Sequence, residues 1–208
     1  LPPVYVYDST VSFWRYLPPD TNDEITPAEF GRTLREFHIL ASSPPATVDS
    51  SVFDSFNPFA KIDEFLELTE TDKNIAYRDI KLLYEWRDFL ATKWGAEIAT
   101  PGYSQLGSGL IHGDAHIGNL YKSDIGLYLL DFDFSCIGPR EWDLIPAAIE
   151  VRRFGKSRES YYQFCQAYGF DVSTWPGFET LALMRELMVT CWRLNMETSA
   201  SVHQESRN

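Results

Sequence analysis

The sequence predicts a mixed α+β fold in which most residues are helical. Three observations support this prediction. Two short β-branched and aromatic segments open the chain, long stretches with helical spacing of apolar residues follow, and two short apolar runs between residues 109 and 134 flank tight loops. The 208 residues are 44% hydrophobic, which is enough to bury a core, and the length favours one domain or at most two.

The N-terminal segments predict a β-hairpin. Val4 to Tyr7 and Val11 to Tyr16 are rich in β-branched and aromatic residues, and the residues 8–10 between them are typical of a turn. The Pro-Pro pair at 18–19 ends the second strand.

Helices are predicted on both sides of the centre. Thr26-Pro-Ala-Glu29 forms a capping box, and Asn57-Pro58 opens a second helix. A third is expected over 72–94, with Ile75, Leu82, Trp86, Phe89 and Leu90 as its apolar stripe. The remaining helices are placed near 142–154, 157–168 (ended by Gly169) and 176–197.

The central residues carry the chemistry. One apolar run leads into His112-Gly-Asp114, and Asn119 follows five residues after that carboxylate. A second apolar run leads into Asp131, twelve residues beyond Asn119. Two short strands joined by a turn at 123–126 would bring Asn119 and Asp131 to one place.

This residue set suits phosphoryl transfer. That reaction needs a carboxylate facing the acceptor hydroxyl and metal ions bridging the phosphate oxygens. Asp114 lies on a loop where it could accept the hydroxyl proton. The amide oxygen of Asn119 and the carboxylate of Asp131 are hard ligands of the kind that Mg²⁺ prefers.

The motifs resemble those of the aminoglycoside phosphotransferase and choline kinase superfamily, a branch of the protein-kinase-like fold. The matching segments are His112-Gly-Asp-Ala-His-Ile-Gly-Asn119, Asp131-Phe-Asp133 and Gly138-Pro-Arg-Glu-Trp-Asp-Leu144. The resemblance implies a protein-kinase-like C-terminal lobe, mainly helical, with a small β centre and an N-terminal hairpin that is a remnant of the N-lobe. It divides the chain into 1–18 (end of N-lobe and hinge), 19–197 (C-lobe, with catalytic loop 112–119 and metal loop 131–133) and a frayed tail, 198–208.

The resemblance also implies a role for individual residues. Asp114 corresponds to the catalytic base, and Asn119 and Asp131 to the magnesium ligands. The backbone of Trp14, Arg15 and Tyr16 would bind the adenine of ATP, and the Tyr121 ring would pack against one face of the adenine. Supporting roles fall to His112 (a packed loop residue), His116 (loop bracing or a place near the phosphates), Asp133 (a second metal or the loop itself) and Asp143 (bracing the catalytic loop from a helix start). His38 is expected to be structural, and Trp142 or Trp192 could line an acceptor pocket.

One part of the kinase pattern is missing. A phosphate-covering loop and a strand Lys paired with a helix Glu should precede the hinge, yet no Lys occurs before Lys61. Either the chain is the C-terminal part of a longer enzyme or it has lost its N-lobe. Exposed strands at residues 4–16 would then favour a homodimer.

The leading hypothesis is an ATP- and Mg²⁺-dependent small-molecule kinase whose activity as this chain alone is open, with GTP as the other candidate co-substrate. The alternative is an inactive C-lobe that serves as a binding or assembly module. Metal-dependent hydrolysis by the same carboxylates is a third, less favoured hypothesis.

Composition limits the partners. A net charge of −12 disfavours nucleic acid and suits a cationic small-molecule acceptor, although an acidic surface alone would explain it. The sequence has no membrane-spanning apolar run, and residues 1–5 lack the basic region and apolar stretch typical of a signal peptide. Three widely spaced cysteines indicate a reducing compartment, so a cytoplasmic location is expected.

Overall fold

The computed structural model confirms a mixed α+β fold dominated by helices. It describes residues 4–7, 9–11, 16, 18, 24–42, 50–71, 75–98 and 102–205, with backbone alone for 5–6, 9–11, 50 and 197–205. Its strands are β1 (Val4–Val6), β2 (Ser9–Val11), β3 (Ser108–Ile111), β4 (Leu120–Ser123), β5 (Gly126–Leu129) and β6 (Cys136–Pro139). Its α-helices are α1 (Pro27–Ala41), α2 (Pro58–Glu70), α3 (Tyr77–Lys93), α4 (Ile145–Arg153), α5 (Arg158–Tyr168) and α6 (Phe178–Glu205).

The N-terminal hairpin is present, but its turn is tighter than predicted. β1 pairs antiparallel with β2, with Val4 opposite Val11 and Val6 opposite Ser9. Ser9 and Thr10 are therefore strand residues, and Tyr7 enters the turn with φ of 51°. Most of the predicted second strand lies outside the described residues, and dimerisation through this hairpin stays a prediction.

Helix α1 begins at the predicted capping box. Thr26 Oγ1 accepts a hydrogen bond from the Glu29 amide at 3.2 Å, and the Glu29 carboxylate accepts one from the Thr26 amide at 2.8 Å. The helix buries Phe30 and Leu34 and packs closely on α5 at Gly31, where any side chain would collide with the Phe164 carbonyl. These contacts bring α1 against the centre of the lobe.

The apolar stripe predicted for α3 is wrong. Leu90 is buried as expected, but Leu82, Trp86 and Phe89 are 50%, 43% and 46% exposed. The face that packs on α2 includes Arg87, whose guanidinium pairs with both oxygens of Asp63 at 2.7 Å. Apolar residues occupy two faces of this helix, so helical spacing alone could not select the buried one. The helix also begins at Tyr77, later than predicted.

The last helix is longer than predicted. α6 continues to Glu205, so the backbone of the expected tail is helical through that residue. Neither Gly nor Pro occurs between 198 and 205, so the sequence there contains no strong helix breaker. Among the described residues, no helix combines the length and apolar character that crossing a bilayer requires.

The core lies between the helices, and the small strands cover one side of it. Its completely buried members come from several helices and from β3. They include Leu34, Ile62, Leu66, Leu90, Ile111, Leu144, Ile145, Leu181 and Met184. β3 pairs with β6, and β4 pairs with β5, both antiparallel. β6 was not predicted because Gly138 and Pro139 have low strand propensity. These two ladders hold the ends of the central loops.

The capping box predicts a pH-dependent contribution to stability. The Thr26 amide and Lys122 lower the pKa of Glu29 from 4.5 to about 2, and the Lys122 ammonium lies 3.0 Å from its carboxylate. A carboxyl whose pKa is lowered by folding stabilises the folded state above its unfolded pKa, and that stability is lost as pH falls. We expect Glu29→Gln to cost about 1 kcal/mol near neutral pH and progressively less between pH 4.5 and about 2.

Urea unfolding of the two proteins across this pH range measures the difference. Glu36→Gln, on the exposed side of the same helix, is the control and should show no such trend. A Glu29→Gln deficit that stays constant down to pH 2 would contradict the assignment.

Candidate functional site

One buried carboxylate, that of Asp143, holds the backbone of the loop 112–119 by hydrogen bonds. Asp143 is fully buried, and its two oxygens accept hydrogen bonds from the amides of His112 at 2.7 Å and Gly113 at 2.8 Å. This is the bracing role that the sequence suggested for Asp143. The loop backbone before Asp114 is therefore set by a side chain about thirty residues away in sequence.

The carboxylate of Asp143 is itself held by two helices. His38 of α1 lies with Nε2 at 3.0 Å from Asp143 Oδ2, and its Nδ1 is 2.8 Å from the Tyr168 hydroxyl of α5. All three side chains are buried, and burial raises the pKa of the Tyr168 phenol, with the Asp143 charge adding to the rise. His38 is structural, as expected, but its link to the catalytic loop was not foreseen.

Gly113 permits the close packing of this loop. It adopts φ of 82°, and any side chain there would collide with the Phe134 carbonyl. The Trp142 indole donates a hydrogen bond to the Gly113 carbonyl at 2.8 Å and is only 2% exposed. Trp142 is therefore behind the loop and does not line the main cavity, whereas Trp192 does. Trp142 lines a smaller cavity of about 510 Å³ instead, so its place in an acceptor pocket stays a prediction.

His112 connects the catalytic loop to the strand that precedes Asp131. Its ring is buried, with Nε2 at 2.8 Å from the Leu130 carbonyl and Nδ1 accepting from the Asp114 amide at 3.3 Å. This pattern fits the neutral tautomer protonated on Nε2. The ring is thus a packed, hydrogen-bonded loop residue.

Asn119 and Asp131 are brought together by the β4–β5 ladder. Leu120 pairs with Leu129, and the Leu130 amide donates to the Asn119 carbonyl at 2.8 Å. The Asn119 amide nitrogen donates to the Asp114 carbonyl at 2.9 Å, so its oxygen is the atom free to coordinate a cation. Asp131 adopts a left-handed backbone conformation with φ of 64°, which is uncommon outside Gly and occurs often at functional sites.

The donor set fits magnesium shared with phosphates. Mg²⁺ is usually held by one or two carboxylates together with substrate phosphates and water, rather than by a full protein cage. Across the described ranges, no group of three or more His, Cys, Asp or Glu side chains gathers as a metal cluster. One carboxylate and one oriented amide are consistent with such an open site.

A cavity of about 920 Å³ joins these groups to the helices. Asp114, His116, Asn119 and Asp131 lie on its catalytic side. The rest of the wall comes from α2, α4 and α6 and includes Lys61, Phe65, Pro146, Ile149, Glu150, Phe154, Arg185, Met188, Val189, Trp192 and Arg193. Asp133 is exposed and lines an adjoining cavity of about 510 Å³, which shares Lys61, Phe134 and Met188 with the main one, but it does not line the main cavity itself.

Asp114 is partly buried beside two cationic or potentially cationic groups. Arg185 Nη2 donates to Asp114 Oδ1, and His116 Nε2 lies 3.7 Å from Oδ2. Burial raises the pKa of Asp114, but the charge and hydrogen bond of Arg185 outweigh burial, and the net pKa is lowered. The carboxylate is therefore ionised at neutral pH. His116 also accepts from the Gly118 amide at 3.0 Å, which braces the loop.

Sequence reasoning missed Arg185. The residue is 6% exposed on α6, between Leu181 and Met188 on the buried face of that helix. A charged residue at the spacing of an apolar stripe was the available signal, because buried arginines are rare without a partner. Only the folded structure shows that the partner is Asp114.

The expected nucleotide residues are described in part. Tyr121 is half-buried on β4, where burial raises its pKa and the charge of the Tyr16 phenol adds to the rise. Tyr16 is 80% exposed. Trp14 and Arg15 lie outside the described residues.

The side of the cavity formed by α4 and α6 contains two exposed aromatic rings and the carboxylate of Glu150. Phe154 and Trp192 are 52% and 44% exposed. Lys61 is paired with Glu64 at 2.7 Å, and the Arg193 guanidinium lies 6.0 Å from the Phe154 ring centroid. Within the part of the chain that the structure describes, Glu150 forms no ion pair.

Similar folds occur among solved kinase structures. Choline kinase from Cryptosporidium parvum Iowa II aligns with a TM-score of 0.63 and 16% identity over 88% of this chain. Amicoumacin kinase hAmiN, in complex with AMP-PNP, Ca²⁺ and Ami, aligns with a TM-score of 0.59 and 13% identity over 92%. The AMP-bound spectinomycin phosphotransferase APH(9)-Ia gives a TM-score of 0.58 and 17% identity over 90%.

The chain spans 64%, 65% and 61% of the choline kinase, spectinomycin phosphotransferase and amicoumacin kinase chains. At these identities the likeness shows a shared fold. No curated protein sequence matches the chain significantly.

A family model described as "Phosphotransferase enzyme family" matches residues 7–183, which is most of the chain and includes the catalytic loop, the Asp131 turn and Asp143. This match and the kinase-like folds confirm the resemblance to the aminoglycoside phosphotransferase and choline kinase superfamily. The chain belongs to the phosphotransferase enzyme family.

Proposed function

We propose that the protein is an ATP- and Mg²⁺-dependent phosphotransferase that moves a phosphoryl group to a hydroxyl of a small molecule. The observation that carries this proposal is the hydrogen bond from the Asn119 amide to the Asp114 carbonyl, beside Asp131 in one cavity. It sets a candidate base and a candidate metal ligand in a fixed relation, as phosphoryl transfer requires.

The mechanism follows from the ionised Asp114. Its carboxylate accepts the proton of the acceptor hydroxyl as that oxygen forms a bond to the terminal phosphorus of ATP and the bond to the departing ADP oxygen breaks. The Asn119 amide oxygen and the Asp131 carboxylate would hold magnesium, which when bound neutralises charge on the phosphate oxygens. The surrounding helices orient the acceptor and limit access of water.

ATP is the co-substrate we favour. The structures of two family-like folds are complexes with AMP-PNP and with AMP. In this chain, the Tyr121 ring would pack against one face of the adenine. The backbone of Trp14, Arg15 and Tyr16 would form hydrogen bonds with the edge of the adenine. Because the chain spans less than two thirds of those proteins, we expect tight ATP binding only when an N-lobe is present.

The acceptor we propose carries a positive charge. Among the residues that the structure describes, Glu150 has no ion-pair partner, and it lines the cavity with the exposed rings of Phe154 and Trp192. Aromatic faces together with one carboxylate favour an ammonium group. The net charge of −12 would also draw a cation towards the protein.

An inactive binding module is the weaker alternative, since it would have no need of Asp114, Asn119 and Asp131 in one cavity. We also propose a cytoplasmic location, supported by three cysteines, Cys136, Cys165 and Cys191, that all remain free thiols.

Asp114→Asn should lower kcat by about 10²–10⁴-fold in the full-length protein while the fold and ATP binding remain. The amide keeps the size of the side chain but cannot accept the hydroxyl proton. Steady-state transfer of labelled phosphate from ATP to the acceptor measures the loss. Asp124→Asn, in the exposed β4–β5 turn, is the matched control, and turnover close to wild type in Asp114→Asn would refute the base assignment.

Asp131→Ala should remove the Mg²⁺ dependence of nucleotide binding, because one of two proposed protein ligands is lost. Calorimetric titration of ATP with and without Mg²⁺ tests this in the full-length protein. Asp124→Ala, from the same strand pair, should retain the dependence. Unchanged magnesium dependence in Asp131→Ala would exclude this residue from the metal site.

Glu150→Gln should raise KM for an amine-bearing acceptor about tenfold, equivalent to about 1.4 kcal/mol, with little change in kcat. The change removes the charge that faces the ammonium and leaves the catalytic residues in place. Kinetics with an amine-bearing acceptor and its uncharged alcohol analogue separate charge from shape. Glu159→Gln, on exposed α5 surface, serves as control, and equal effects on both acceptors would argue against ammonium recognition.

A further inference from the structure

Arg185 occupies a position where an apolar residue would be expected. Its neighbours on the buried face of α6 include Leu181, Met184 and Met188, and the arginine itself is 6% exposed. A buried guanidinium is unfavourable unless it is paired and hydrogen-bonded. Its presence at this site therefore calls for a specific partner.

That partner is the candidate base. Arg185 Nη2 donates to Asp114 Oδ1, and the guanidinium carbon lies 5.9 Å from the Trp142 ring centroid. Trp142 in turn donates to the Gly113 carbonyl. The arginine and the ring that supports it thus both contact the loop that carries Asp114.

The hydrogen bonding of Arg185 is incomplete. Its Nε atom is buried and has no hydrogen-bond partner among the described residues. An unsatisfied buried donor costs stability, and such groups in native proteins often have a functional explanation. The hydrogen bonding of the guanidinium itself therefore does not explain its position, but its contact with Asp114 does.

We propose that Arg185 is a positioning residue that reserves Asp114 for the acceptor hydroxyl, an inference that rests on the proposed function. With Oδ1 occupied by the guanidinium, Asp114 presents Oδ2 to the cavity and cannot chelate a metal through both oxygens. The same ion pair keeps Asp114 from binding the ammonium of the acceptor. Asp131 and Glu150 remain as the carboxylates for metal and ammonium.

The first test is the kinetics of Arg185→Met in the full-length protein, with Arg153→Met as a matched control. Arg153 also pairs with a glutamate, Glu186 at 2.7 Å, but lies outside the cavity lining. We expect Arg185→Met to lower kcat about 10–100-fold because the base is misplaced, with KM for ATP within about twofold. Added guanidinium ion should restore part of kcat, and Arg185→Lys should be intermediate.

Coupling to Asp114 separates positioning from general packing. In an Asp114→Asn background, Arg185→Met should cause little further loss, because the group that it positions is already disabled. A full additional loss would overturn the proposal. So would wild-type kcat in Arg185→Met, or a loss of kcat that follows lowered thermal stability and is not rescued by guanidinium.

A spectroscopic test does not depend on activity. The Nη2 protons of Arg185, which donate to Asp114, should give a slowly exchanging ¹⁵N–¹H NMR signal in the wild type and a rapidly exchanging one in Asp114→Ala. If the wild type transfers no phosphate, the proposed function fails, yet this signal still reports on the contact. A signal indifferent to Asp114→Ala would overturn the positioning role whatever the enzyme does.

Discussion

The paired hydrogen bonds from the His112 and Gly113 amides to Asp143 are the interaction on which the site depends. A buried carboxylate is stable only when its oxygens are satisfied, and the catalytic loop supplies the two backbone donors. His38 and Tyr168 extend this contact into α1 and α5. The backbone of the loop is thereby tied by hydrogen bonds to the packed helices.

Single hydrogen bonds then connect this anchored loop to the other residues of the site. The His112 ring contacts the Leu130 carbonyl, one residue before Asp131. The Asn119 side chain contacts the Asp114 carbonyl. These hydrogen bonds link the positions of Asp114, Asn119 and Asp131. This matters because phosphoryl transfer relies on positioning and charge more than on covalent chemistry, and small displacements of reacting groups are costly.

The carboxylates that line the cavity differ in their surroundings, which the net charge of the chain does not reveal. Three carboxylates face it, and each has a different environment: Asp114 is paired with Arg185, Asp131 is exposed at a left-handed turn, and Glu150 has no ion pair in the described structure. Such differences would allow the proposed base, metal ligand and ammonium contact to lie in one cavity. Net charge alone would have predicted only a general attraction for cations.

The sequence by itself determined the capped starts of α1 and α2, the strand pair around Asn119 and Asp131, and the family, because capping, turn and motif signals act between residues close in the chain. It failed for the exposed face of α3 and for Arg185. In both cases the deciding contact joins distant segments: Arg87 with Asp63, and Arg185 with Asp114. Which apolar face is buried, and which charge is paired, was decided only by tertiary packing, since local periodicity carries no information about the partner.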